Sequence, residues 1–272
     1  MNFKNKTVFI TGASRGIGKA IGLRLASEGA NIAIAAKSVT ENAKLGGTIF
    51  SAAEEMDRAG GKGLAIQCDI RYEDQVSDAV TKTVEHFGGI DILINNASAI
   101  NLSPIEKILV KHYDLMQDIN VKGTFFVSQY CIPHLKKSSN AHILTLSPPL
   151  NFDEKWFTAH AAYTISKYGM TMTAMGLANE LKKYNIASNT LWPQTTIATA
   201  AVLNLLGGDT LMKMSRTTAI IADAAIFILS KPSTEVTGNN FIDEKVLFAE
   251  GITDFSQYSV TPGGKLYTDL FL

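Results

Sequence analysis

Short apolar runs alternate with amphipathic stretches along almost the whole chain, and this rhythm limits the possible folds more than any other feature. Thr7 to Ile10, Asn31 to Ala36, Leu64 to Ile66, Ile90 to Ile94 and Ala141 to Leu146 are apolar nearly throughout, and Ile186 to Leu191 and Asn240 to Ile242 read as further strands with polar residues among the apolar ones. Strands covered on both faces read this way, whereas half-exposed strands alternate. Between them lie helical stretches at 16–28, 49–59, 75–87, 112–135, 161–184 and 218–229. In the third, Val76, Ala79, Val80 and Val84 form one stripe at helical spacing. Strand and helix in alternation predict a parallel sheet with helices on both faces, a doubly wound α/β fold. Two segments interrupt the rhythm, residues 37–48 and 195–215, but it resumes after each, so one domain over 1–272 is expected. The second interruption places Gly207-Gly208 between apolar clusters and predicts a mobile lid.

Composition removes several function classes. With 46% apolar residues over 272 positions, the chain can bury about 73% of its surface and needs no staple. Cys68 and Cys131 have neither framework nor metal spacing, and the five histidines share no ligand spacing, so no metal is expected. Twenty-five basic residues balance twenty-five acidic ones, which argues against a nucleic acid partner. No run of 18 apolar residues predicts a membrane span. The start lacks a signal-peptide core and Leu270-Phe271-Leu272 is not a peroxisomal address, so a cytoplasmic location is expected.

The chemistry starts at Thr11-Gly12-Ala13-Ser14-Arg15-Gly16-Ile17-Gly18, between the first strand and the first helix. A glycine-rich turn there brings backbone close to a pyrophosphate and leaves the helix N-terminus to bind it. The second strand ends Ala35-Ala36-Lys37, with a cation where an acid would hold an adenosine ribose. Lys37 and Arg15 suit a 2′-phosphate, which predicts NADP(H) in preference to NAD(H). Further on, Tyr163-Thr164-Ile165-Ser166-Lys167 opens a long helix. The i, i+4 spacing puts phenol and ammonium on one face, where the cation would lower the phenol's pKa.

Together these features resemble the short-chain dehydrogenase/reductase family over roughly residues 5 to 250. The resemblance implies about seven parallel strands with three helices on each face. It implies a cofactor half at about 1–110 and a catalytic and substrate half at about 111–272. Gly12, Ser14, Arg15, Gly16, Ile17, Gly18 and Lys37 would bind the cofactor, with Asp69 and Ile70 at the adenine and Asn96 and Ala97 along its length. After the sixth strand, Pro193, Thr195 and Ile197 would meet the nicotinamide amide. Tyr163 would be the proton donor, Lys167 its partner and holder of the nicotinamide ribose, and Asn120 would position a water. Helices 112–135 and 161–184 resemble those that pair subunits in the family, implying a homodimer or homotetramer.

Three departures stand out. Ser98 replaces a usual glycine, Gln194 follows Pro193 where the family has Gly, and Pro148 occupies the position of the family's catalytic serine. Ser147 is the nearest hydroxyl, and the two prolines after it are expected to turn the chain out of the sheet so that it reaches the substrate oxygen. The run Ser147-Pro148-Pro149-Leu150-Asn151 resembles the hydroxysteroid-dehydrogenase-like branch, whose larger members add a sterol-carrier domain; that domain is expected to be absent here. Phe152, Trp156, Phe157 and Trp192 flank the expected cleft, as pocket lining or as packing. The expected activity is NADP(H)-dependent interconversion of a carbonyl and a secondary alcohol on an apolar or lipid-like small molecule. Its alternatives are an NADP-binding sensor or scaffold with little turnover, and a lipid-binding module.

Overall fold

Along the first strand, β1 (Thr7–Thr11), Val8 and Ile10 point into one core and Phe9 into the other, as a period of two requires. The same sorting holds in β2 (Asn31–Ala36), with Ile32 and Ile34 against Ala33 and Ala35, and in β4 (Ile92–Asn95), with Ile92 and Ile94 against Leu93. The structure, a computed structural model, describes residues 3–42 and 45–272. The remaining strands are β3 (Lys62–Gln67), β5 (Ala141–Thr145), β6 (Ile186–Trp192) and β7 (Asn240–Ile242). All seven pair in parallel, in the order β3-β2-β1-β4-β5-β6-β7. The order reverses between β1 and β4, and doubly wound sheets bind ligands outside the carboxyl ends at such a point.

Helices α1 (Gly16–Ala26) and α2 (Ile49–Arg58) cover one face, and α3 (Glu73–Phe87) lies on the other. The expected long helix at 112–135 is divided: α4 (Val110–Met116) runs into a π-helical turn at Gln117–Gly123, and α5 (Thr124–Leu135) follows. Such bulges recur at functional sites, and this one holds Asn120. After the short α6 (Lys155–Thr158), α7 (Ala161–Leu181) packs beside α5 on the α3 face. The 195–215 segment is partly helical. It forms a π-helical turn at Val202–Leu206 and α8 (Gly208–Lys213), with Val202 buried and Leu205 exposed. Finally α9 (Ala219–Ser230) joins α1 and α2, giving three long helices on each face, and α10 (Asp243–Ala249) caps β7. Among the described residues no helix is long and apolar enough to cross a membrane.

Candidate active site

A cleft of about 570 Å³ opens at the carboxyl ends of β1, β2 and β4. Gly12, Ser14, Arg15, Gly16, Ile17, Lys37, Asp69, Ile70, Asn96 and Ala97 line it. Gly18 stands behind it as a packing residue: a Cβ there would lie 2.4 Å from the Asn96 amide nitrogen. That amide donates to the carbonyls of Thr11 (2.9 Å) and Gly12 (3.1 Å), and Thr11 Oγ1 accepts from the backbone N–H groups of Asn96 and Ala97. The glycine loop is thereby tied to the end of β4. Arg15, the N-cap residue of α1, is extended (φ −162°) and its side chain does not cap the helix. The first N–H groups of α1 therefore keep the anion-binding capacity of a helix start, and a dinucleotide's pyrophosphate fits there.

Two expected contacts are differently arranged. Arg15 is committed to the loop after β2: its Nε donates to Gly46 O (2.8 Å), and its Nη2 to Gly47 O (3.0 Å) and Ser38 Oγ (2.9 Å). Lys37 stands exposed at the rim. Asp69 is gripped by Arg71 at 2.6–3.1 Å, and this pairing holds its carboxyl below the usual carboxylate range. Sequence reasoning missed Thr199, Ala200, Ala201, Asn204 and Leu205, which close the cleft from the 195–215 segment. The signal lies in the apolar clusters around Gly207-Gly208, which predict a lid. Pro193, Thr195 and Ile197 do not line this cleft. All three are buried; Thr195 bridges to Thr268, and Ile197 joins the core beside Arg216.

Tyr163, Lys167 and Asn120 come together around α7. Asn120 is fully buried; it accepts from Ala99 N (2.8 Å) and donates to Ala99 O (2.9 Å) and Ser166 Oγ (2.9 Å). The π-turn and α7 are thus locked to the strand exit of β4. Lys167 Nζ donates to Leu146 O at 2.6 Å, lies 3.3 Å from Met170 Sδ, and sits over the Trp192 ring at 5.0 Å. Burial pulls this ammonium down to about 7, and the nearby charge of Asp269 opposes that pull. Tyr163 is buried too, which pushes its phenol up, as does the charge of Asp269. The expected lowering of the phenol by its lysine is therefore absent from this arrangement. The amine is directed to Leu146 and is itself brought close to neutrality.

Ser147 is tied to α7. The chain does leave the sheet there, with Ser147 N donating to Thr145 O, but the hydroxyl accepts from Thr171 Oγ1 (3.0 Å) on α7. Thr171 also donates to Pro148 O (2.7 Å). One threonine thus pins both residues of the turn, and no hydrogen bond joins Ser147 to Tyr163 among the described residues.

An acidic pair, Asp243 fully buried and Asp269 partly so, lies near Lys167. Asp269, reached by the C-terminal residues, and Asp243, at the start of α10, are each pushed up to about 7, first by burial. Asp243 Oδ1 accepts from Gln194 N (2.8 Å) and Glu244 N (2.7 Å), while its Oδ2 has no partner. A carboxyl raised from 3.8 when folded contributes stability that is full below about pH 4 and is lost as pH rises through about 7. Lys167 acts oppositely, but only between about pH 7 and its unfolded value near 10.5. The protein should therefore melt lower at about pH 8 than at about pH 5. Asp243→Asn, which keeps an acceptor without the charge, should flatten that slope in thermal melts. An unchanged slope would contradict the assignment.

A family model described as short chain dehydrogenase matches residues 6–205. Hydroxysteroid dehydrogenase-like protein 2 of Bos taurus is 55% identical over 98% of this chain, which spans 63% of that relative's length. A short chain dehydrogenase structure from Mycobacterium thermoresistibile is 54% identical with a TM-score of 0.94, covering 100% of this chain and 96% of that one. A structure from Xanthomonas campestris is 51% identical with a TM-score of 0.97, covering 100% and 99%.

Proposed function

The chain belongs to the short-chain dehydrogenase family, and from that premise we propose that it is an NADP(H)-dependent oxidoreductase that interconverts a carbonyl and a secondary alcohol on an apolar small molecule. One observation carries the reading: Tyr163 and Lys167 are buried together on α7, and their helix is locked through Ser166 and Asn120 to the residues that follow the cofactor cleft. When bound, the cofactor supplies or accepts the hydride. The residues on this chain orient the reaction and move the proton. Gly12, Ser14, Gly16 and Ile17, with the α1 N-terminus, hold the pyrophosphate. Lys37, exposed at the rim, meets a 2′-phosphate, and Asp69 and Ile70 border the adenine end. In reduction Tyr163 gives its proton to the carbonyl oxygen. Lys167 holds the ribose hydroxyls, and Asn120 fixes the π-turn that shapes the floor of the site. Ser147 accepts from Thr171 Oγ1 and so keeps its own proton to offer to the oxyanion. Apolar character in the substrate is supported by the rings of Trp156, Tyr168, Trp192 and Phe271 around Tyr163.

Cofactor choice tests the cleft half of this reading. A close charge pair at a partly screened rim supports a preference of roughly tenfold to a few hundredfold for NADP over NAD. Lys37→Asp should erase or reverse it in a titration of both nucleotides. Equal affinity in the native protein would contradict the assignment of Lys37.

A second reading, a cofactor-binding sensor or scaffold with little turnover, is favoured by two observations. Tyr163 is only 5% exposed and Pro148 stands where the family's serine would be. Tight nucleotide binding without turnover on any aldehyde or ketone separates it from the first.

A further inference from the structure

Phe271 is delivered to Tyr163 by a strap, residues 267–271, fastened on both sides of the site. On one side Thr196 N donates to Tyr267 O (3.0 Å), Asp269 N to Gln194 O (3.1 Å) and Trp192 Nε1 to Leu270 O (2.9 Å). On the other, Asn151 Nδ2 donates to Phe271 O (3.0 Å). The ring is 1% exposed. Its centroid lies 6.1 Å from that of Tyr163, 6.0 Å from Trp192, and 5.4 Å from both Trp156 and Tyr168. Its backbone has φ +74°, a conformation that bulky residues avoid unless their surroundings impose it, and such outliers cluster at ligand clamps and active sites. In the same ring cluster the buried Trp156 Nε1 has no hydrogen-bond partner.

A compound that exchanges a proton with Tyr163 has to bring its oxygen within hydrogen-bond reach of the phenol. Its substituents then need the space beside that ring, and Phe271 fills it. We propose that Phe271 is a specificity-determining residue: its ring limits the size of carbonyl compound admitted at Tyr163, passing small aliphatic ketones and excluding aryl ketones. This rests on the reading of Tyr163 as the proton donor. Removing the ring leaves an aromatic-walled apolar pocket, of the kind that stays dry and takes a planar apolar ligand, with the Trp156 N–H as a donor for the ligand's oxygen.

Only two tryptophans occur in the chain, Trp156 and Trp192, and both touch Phe271. Intrinsic fluorescence therefore reports on this pocket directly. Native protein and Phe271→Ala are titrated with acetophenone without cofactor. The variant should bind at least about tenfold more tightly, as the burial of a phenyl ring allows. Equal affinity would overturn the proposal. With NADPH added, the ratio of kcat/KM for acetophenone to that for butan-2-one should rise at least about tenfold in the variant. An unchanged ratio would also overturn it. If neither protein turns over either compound while the binding difference stands, the proton-donor reading fails and the occupancy by Phe271 is upheld. Should Phe271→Ala fail to fold, Phe271→Leu, which keeps apolar bulk without the ring, gives the same comparisons in the same direction.

Discussion

Tyr163→Phe should reduce turnover by about 10²–10⁴, the range for loss of a general acid, while leaving nucleotide affinity close to native. The substitution removes only the hydroxyl. The ring keeps its packing against Phe271 and its place in the buried cluster with Trp192 and Tyr168, so the fold has no reason to change. The phenol forms no hydrogen bond with Lys167, whose Nζ goes to Leu146 O instead. Lys167→Ala should behave differently, losing both turnover and nucleotide affinity, because this amine is assigned to the ribose that carries the reacting nicotinamide. The measurement is steady-state turnover beside a fluorescence titration with NADPH. Near-native turnover in the Phe variant would show that another group carries the proton.

Gly12→Val should abolish measurable cofactor binding and destabilise the protein by about 3 kcal/mol, within the range for overpacking combined with a forced backbone conformation. Gly12 has φ +69°, where a β-branched residue is strongly disfavoured. A Cβ there would also stand 2.9 Å from Ala97 Cα, a backbone atom that cannot swing aside. Relief requires the loop to part from β4, which breaks the bonds from the Asn96 amide to the Thr11 and Gly12 carbonyls. Thermal melting and a nucleotide titration measure the two effects together. A variant that binds NADPH with native affinity would contradict the placement of this loop at the pyrophosphate.

The sheet was legible in the sequence because its strands are buried on both faces. Unbroken apolar runs such as Thr7 to Ile10 have few other uses in a chain that also carries amphipathic helices. The glycine loop was legible because its neighbours in sequence are its neighbours in space. What stayed hidden depended on distant contacts. The π-turn at Asn120 leaves the helical apolar pattern almost unchanged, and the bonds that Asn120 makes there reach Ala99, 21 residues away. Arg15 lines the cleft, but the bonds that hold its guanidinium to Gly46 and Gly47 join residues 31 and 32 apart. Ser147 was correctly expected to leave the strand, but alternation cannot reveal that Thr171, 24 residues on, takes its hydroxyl. The strap was invisible. Tyr267 to Phe271 have no periodicity, and the bond that seats Phe271 joins residues 120 apart.

The central claim, that this protein moves hydride between a nicotinamide and a carbonyl carbon with Tyr163 supplying the proton, is tested most directly by isotope transfer. NADPH carrying deuterium on the transferable C4 position is incubated with the protein and a panel of aldehydes and ketones, and the products are read by mass spectrometry. The account predicts a secondary or primary alcohol with one deuterium on the carbinol carbon, formed by the native protein and greatly reduced with Tyr163→Phe. Tight NADPH binding with no deuterated alcohol from any compound in the panel would contradict it and leave the sensor or scaffold reading in its place.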